Sequence, residues 1–495
     1  MLRLLPLLAL AGCGWNDMPD GSAWDTTPLW APTGAVAASG TLYVPLADGA
    51  LVYVDATGAD IIVHLEGGQR RTLMVLPDQS GIATFLDREY CVPDARDECA
   101  DVRTESTVAL IQDGTLQLEV PVGKHLDTLA FAPGETRAVA WLSGPPPDGQ
   151  LGVVNLNEID ILDLVEGSRT PVRVGFAADR ILFTEDGLSA VVLSQSQVAV
   201  VDLTASPPRT STTFPLTLDP DIVVTPVGVD LTPDGRFALI STRNGGDLYI
   251  LDLVDPSVNL ISLPASPSAM HVEPSTDETL FVFPSRSELT IVDHDRFELR
   301  TIALDEPMTR ILSTGQYAVL YAEGSRRDVY RYEYATGELT EYRLLAAPYD
   351  MALSPDGAFA VAFTAATSTN RAGMEMVDLR GTRGETIPYA LDAFGVGLSF
   401  TTGADGSVWA LVLQDGIDSL WRGELATGIS EVVPLIDAPV GIGDLGDGRF
   451  FIAHDNALGL ISLYDPSDDS FVEASGFALQ NILNETEPLP AEESP

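Results

Sequence analysis

Histidine and cysteine are the residue types best suited to metal or nucleophile chemistry, and this chain of 495 residues has five of the first and three of the second. The histidines are His64, His125, His271, His294 and His454. None stands in His-Glu-x-x-His spacing and none lies near a cysteine, so the usual zinc patterns are missing. Asp293-His294-Asp295 has ligand-type side chains, but it follows an apolar run, where a loop cluster is ordinarily just solvated. No Gly-x-Ser-x-Gly elbow joins a strand to a helix, and no phosphate-cradling loop is present. The motifs therefore imply no catalytic residue, no metal and no cofactor.

The cysteines point to a compartment instead. Cys91 and Cys99 lie close together in Tyr90-Cys-Val-Pro-Asp-Ala-Arg-Asp-Glu-Cys-Ala100, and outside the cytoplasm such a pair oxidises to a local disulfide. Cys13 ends Met1-Leu-Arg-Leu-Leu-Pro-Leu-Leu-Ala-Leu-Ala-Gly-Cys13, one basic residue followed by a short apolar run. That is the shape of a secretory signal, too short for a permanent membrane span. Leu10-Ala11-Gly12-Cys13 resembles the lipobox of bacterial lipoproteins at all four positions. The resemblance implies cleavage before Cys13, lipid on that residue and a home in the bacterial cell envelope, with Gly14 leaning toward the outer membrane. Several acyl chains on one residue anchor firmly. Residues 1–12 are then a signal peptide, 13–32 a Pro-, Asp- and Thr-containing tether, and 484–495 a disordered acidic tail.

The formal charge is −45, and Lys124 is the sole lysine. Nucleic acid needs a basic stripe and is a poor partner here. The expected partners are the membrane through Cys13 and a protein or small ligand, with the chain itself a monomer.

The elements that must position any site are read from one stretch, Met351-Ala-Leu-Ser-Pro-Asp-Gly-Ala-Phe-Ala-Val-Ala-Phe363. Pro355 presets the turn, Asp356 bonds its own backbone and Gly357 tolerates positive φ, between two apolar strands. Relatives of this stretch recur about ten times at the spacing of four-stranded propeller blades, the clearest being Val229-Asp-Leu-Thr-Pro-Asp-Gly-Arg-Phe-Ala-Leu-Ile240. The third strand of a unit often ends in Val-Asp or Leu-Asp, as at Asp202, Asp252 and Asp378. The turn and this strand resemble the YVTN-type and lactonase-like β-propellers of bacteria. The resemblance covers roughly residues 33–483 and implies an all-β fold of four-stranded antiparallel blades. One continuous ring is expected, with seven or eight long blades or two smaller rings as alternatives.

In a propeller the first strand of each blade lines the axial channel. Polar residues at the start of those strands are the candidate ligand site: His125, Asp127, Arg180, His271, Arg310, Tyr349 and Asp350. Arginines there need a carboxylate or an anion, and Asp127 and Asp350 are available internally. The leading expectation is a non-enzymatic binding or scaffold module held at the envelope. The alternative is a lactonase-like or other small-molecule hydrolase using the channel. A third reading is an accessory lipoprotein of envelope assembly.

Overall fold

A computed structural model describes residues 36–475, apart from 46–50, 55–59, 64–67, 94–98, 145–154, 196, 217–225, 244–245, 365–372, 382–384 and 456–459. Cys13, the signal and tether, His64 and the acidic tail lie outside the described residues. Among the described residues forty strands form ten four-stranded antiparallel sheets, each made of four consecutive strands in sequence order. No helix occurs among the described residues. The blades span 36–63, 68–122, 128–173, 178–215, 226–262, 269–303, 310–343, 348–390, 395–434 and 439–474, numbered here 1 to 10.

The local cause of each blade is its first turn. In Ser354-Pro355-Asp356-Gly357 the Gly357 N–H donates to the Ser354 carbonyl at 2.9 Å, with φ +65° at Gly357. Asp356 Oδ1 accepts from the Ala358 N–H and from Ser354 Oγ, and Ser354 Oγ accepts from the Phe359 N–H. Thr232-Pro233-Asp234-Gly235 repeats the same bonds. Blade 6 lacks the glycine: the Thr276 N–H closes the bond to the Glu273 carbonyl, and the left-handed conformation falls one residue later, at Asp277, φ +50°, as a short polar side chain allows. The Val-Asp and Leu-Asp endings also have a cause. Asp252 Oδ1 accepts the N–H groups of Val254 and Asp255, turning the chain into the fourth strand, and Asp202 does the same for Thr204 and Ala205.

Second and third strands read as continuous apolar runs, such as Ser189–Ser194 and Gln197–Asp202, because both of their faces are covered. Neighbouring blades provide the cover. Among the described residues there are ten apolar clusters, one between each successive pair of blades. The tenth joins Leu42, Val44 and Val54 of blade 1 to Phe451, Ile461 and Leu463 of blade 10. The Gly40 N–H also donates to the Leu445 carbonyl at 2.7 Å. Blade 10 therefore meets blade 1 and the ring is closed. The protein is a single ten-bladed propeller, not two rings and not a ring of seven or eight. First strands neighbour first strands around the axis, while fourth strands, such as Ser257–Ser262, are largely exposed at the perimeter.

Cys91 and Cys99 lie on the long hairpin of blade 2, where Cys91 is opposite Val102 and Cys99 opposite Pro93. Their side chains are outside the described ones, so the disulfide stays an expectation.

Candidate ligand site on the channel wall

The inner strands open with a shared irregularity. Register shifts fall between Ala178 and Arg180, Pro226 and Gly228, Pro348 and Asp350, Gly395 and Gly397, and Pro439 and Gly441. A bulge of this kind frees one residue from the ladder and re-aims the next. It is why Asp179, Tyr349, Val396 and Val440 leave the sheet at one end of the ring, and why Arg180 and Asp350 stand exposed beside them.

Five of the predicted residues fall into two groups. Arg180 of blade 4 reaches toward blade 5, where its Nη1 donates to the Val229 carbonyl at 3.4 Å. His271 of blade 6 places Nε2 3.4 Å from Glu273 Oε2. Asp230 of blade 5 comes between them and feels the charges of both. Burial pushes the Asp230 carboxyl above its ordinary value, and the Leu231 N–H, His271 and Arg180 pull it partway back. Sequence reasoning missed Asp230. Its signal was a carboxylate inside Val229-Asp230-Leu231, where other inner strands carry Leu182 or Ala352.

Glu273 is 2% exposed. Burial acts to raise its pKa, but hydrogen bonds from Ser313, Ser275 and His271 outweigh burial and leave it lowered. Ser313 Oγ donates to Glu273 Oε2 at 2.8 Å and lies 3.0 Å from the Tyr334 hydroxyl. A carboxylate held below its usual range is a poor general base, so Ser313 is anchored here and not activated.

The second group lies on blades 7 and 8. Arg310 donates from Nε and Nη2 to Glu323 Oε2 at 3.0 and 2.7 Å, a bond that raises its pKa, and Asp350 adds to the effect. The Tyr349 hydroxyl donates to the Gly395 carbonyl of blade 9 at 2.6 Å, and Asp350 Oδ1 accepts the Met351 N–H. Burial and Asp350 both push the Tyr349 hydroxyl up.

His125 and Asp127 join neither group. His125 adopts φ +66° in the connection into blade 3. Asp127 accepts from the Ser143 N–H at 2.8 Å and from the hydroxyls of Ser143 and Thr128, which ties two loops of one blade together. The remaining described histidines serve the blades. His294 meets Thr279 Oγ1 at 2.7 Å, and His454 bridges Ser462 Oγ and the Asp437 carbonyl. Among the described residues no group of three His, Cys, Asp or Glu side chains is arranged to hold a metal ion.

Fold and site together define a class: a closed, all-β, ten-bladed propeller with charged side chains on its channel wall. The chain matches no protein-family model and no curated protein. Among solved structures it is similar to a eukaryotic initiation factor, at 11% identity and TM-score 0.50, over 89% of this chain and 94% of that one. It is also similar to the dihydro-heme d1 dehydrogenase NirN in complex with DHE, at 16% identity and TM-score 0.40, over 65% of this chain and 71% of that one. Kuenenia stuttgartiensis hydrazine synthase aligns at 16% identity and TM-score 0.32, over 62% of this chain and 93% of that one. At these identities the likeness is one of fold alone.

Proposed function

We propose that this protein is a lipid-anchored envelope protein whose propeller is a non-enzymatic binding or scaffold module, taking a polar ligand or a protein partner at the channel mouth. What supports this is the chemistry of the channel wall. Arg180, Asp230 and His271 offer donors and acceptors from three successive blades, while the Ser313 hydroxyl nearby is tied to Glu273 and Tyr334. Anchoring rests on the lipobox ending at Cys13.

The second reading, a lactonase-like hydrolase, is favoured by one observation. A carboxyl with a raised pKa next to an imidazole and a guanidinium is the kind of group that functional sites contain. One experiment separates the two. The purified chain and its Asp230→Asn variant are assayed for proton release on a panel of lactones and esters. The binding reading expects no turnover above buffer from either protein. Turnover that falls with Asp230→Asn overturns it in favour of the hydrolase. Anchoring is tested by palmitate labelling in a bacterial host, where Cys13→Ala is expected to abolish the label and equal labelling removes the anchor.

A further inference from the structure

The rim of the ring at the bulge end changes character as it passes round. In blade 4 the bulged position is Asp179, and in blades 9 and 10 it is Val396 and Val440. The connections leading into blades 9 and 10 add Phe394 and Ile436. Exposure of the four is 59% for Val396, 41% for Val440, 47% for Phe394 and 82% for Ile436. The Tyr349 ring of blade 8 meets Phe394 edge-on, with centroids 6.4 Å apart. These side chains share one end of the ring because every blade runs its strands in the same order. Single exposed apolar residues are ordinary, whereas a group of them on adjacent blades at one end of the ring is the arrangement that marks contact surfaces.

Its surroundings are acidic. Asp392, Asp415, Asp418, Asp437 and Asp455 lie in the loops at the same end. The Asp415 N–H donates to the Phe394 carbonyl and the Asp455 N–H to the Ala438 carbonyl, each at 2.8 Å, so these loops lie against the apolar connections. Between Arg383 and Arg449 the sequence has a single Lys or Arg, and neither type follows Arg449. That residue, Arg422, is buried and committed to Glu431 and Asp469.

We propose that this arc of blades 8 to 10 is a docking surface for a cationic amphipathic segment of a protein partner. Apolar side chains would cover Phe394, Val396, Ile436 and Val440, and flanking Lys or Arg would face the carboxylates. Charge selects that occupant. A second copy brings the same carboxylates against themselves, and nucleic acid or anionic lipid carries the same sign as the rim. The proposal rests on the binding-module reading and names its partner.

The test uses the full chain and two fluorescein-labelled model peptides, one of alternating leucine and lysine and its leucine–glutamate counterpart, followed by anisotropy. The lysine peptide is expected to bind and the glutamate peptide not. Phe394→Ser/Ile436→Ser and Asp415→Asn/Asp418→Asn are each expected to weaken binding by at least about tenfold. Phe176→Ser, an exposed rim aromatic before blade 4, should leave it unchanged, and thermal melts by circular dichroism confirm that all variants fold. Wild-type affinity in both patch variants, or an equal loss in Phe176→Ser, overturns the proposal. So does binding to phosphatidylglycerol vesicles, or self-association in sedimentation, that the same patch variants abolish. Peptide binding alongside lactone turnover would keep the surface and remove the non-enzymatic reading. Neither activity would remove the surface and leave that reading standing.

Discussion

At the scale of single residues, several buried polar atoms of this ring have no hydrogen-bond partner among the described residues, Thr290 Oγ1 and Arg422 Nε being two, and His294 shows the cost of such an incomplete match. Its ring is 8% exposed, Nε2 has Thr279, and Nδ1 is a buried atom with no hydrogen-bond partner. Burial lowers its pKa from the ordinary value of 6.5, and Asp277, Asp234, Asp293 and Glu278 only partly oppose this. The unfolded chain takes up this proton at the ordinary pKa and the folded chain only at lower pH. In that window the unfolded state binds more protons, so stability rises with pH. The contribution is complete above the ordinary value of 6.5 and is lost as pH falls through it toward the lowered one. Urea midpoints measured at pH 7.5 and pH 5.5 should therefore fall with acid less steeply in His294→Leu than in the wild type. An unchanged difference between the two pH values would mean that this histidine titrates as a free one.

At the scale of the element, the blades are joined by arginines as well as by apolar side chains. Arg331, 5% exposed, projects from the third strand of blade 7 into blade 8. Its Nη1 donates to the Leu379 carbonyl and, at 3.0 Å, to the Gly381 carbonyl, while Nη2 donates to Thr340 Oγ1 within its own blade. Arg422 holds the same strand position in blade 9 and reaches the Pro466 carbonyl, Asp469 and the Tyr464 hydroxyl of blade 10. Arg331→Met keeps much of the volume and removes the donors, taking the guanidinium from the Leu379 carbonyl and leaving the Gly381 carbonyl only the Tyr342 hydroxyl. A loss of about 2–3 kcal/mol is expected in urea unfolding. Arg331→Lys should recover little of it, because a single ammonium cannot reproduce the planar fork.

These contacts also mark the limit of what the sequence discloses. A blade is legible because its evidence is local: Ser354, Asp356 and Gly357 make their bonds within six residues. Blade 6, without the glycine, still turns locally, between Glu273 and Asp277. Arg331 and Leu379 are 48 residues apart, and nothing in either neighbourhood announces the other. The channel site divides along the same line. Arg180 and His271 are legible as polar residues at the head of an inner strand. Asp230, which brings them into one group, looked like part of a Val-Asp-Leu strand until blades 4, 5 and 6 were set side by side.

At the scale of the whole molecule, closure decides how stability is shared. An open stack of ten blades would leave two terminal sheets with one uncovered apolar face each, and those ends would fray first. Here Leu42, Val44 and Val54 lie against Phe451, Ile461 and Leu463, so no blade is terminal. A defect at the closing interface should then weaken the whole ring as much as one placed elsewhere. Leu463, 1% exposed, sits in the cluster between blades 10 and 1, and Leu239, fully buried, sits in the one between blades 5 and 6. Leu463→Ala and Leu239→Ala should each cost about 2–5 kcal/mol. Scanning calorimetry should show one transition for both variants, displaced to lower temperature by similar amounts. An early, separate transition in Leu463→Ala alone, small enough to be one blade, would mean that blade 1 is held loosely and that the ring behaves as a stack with an end.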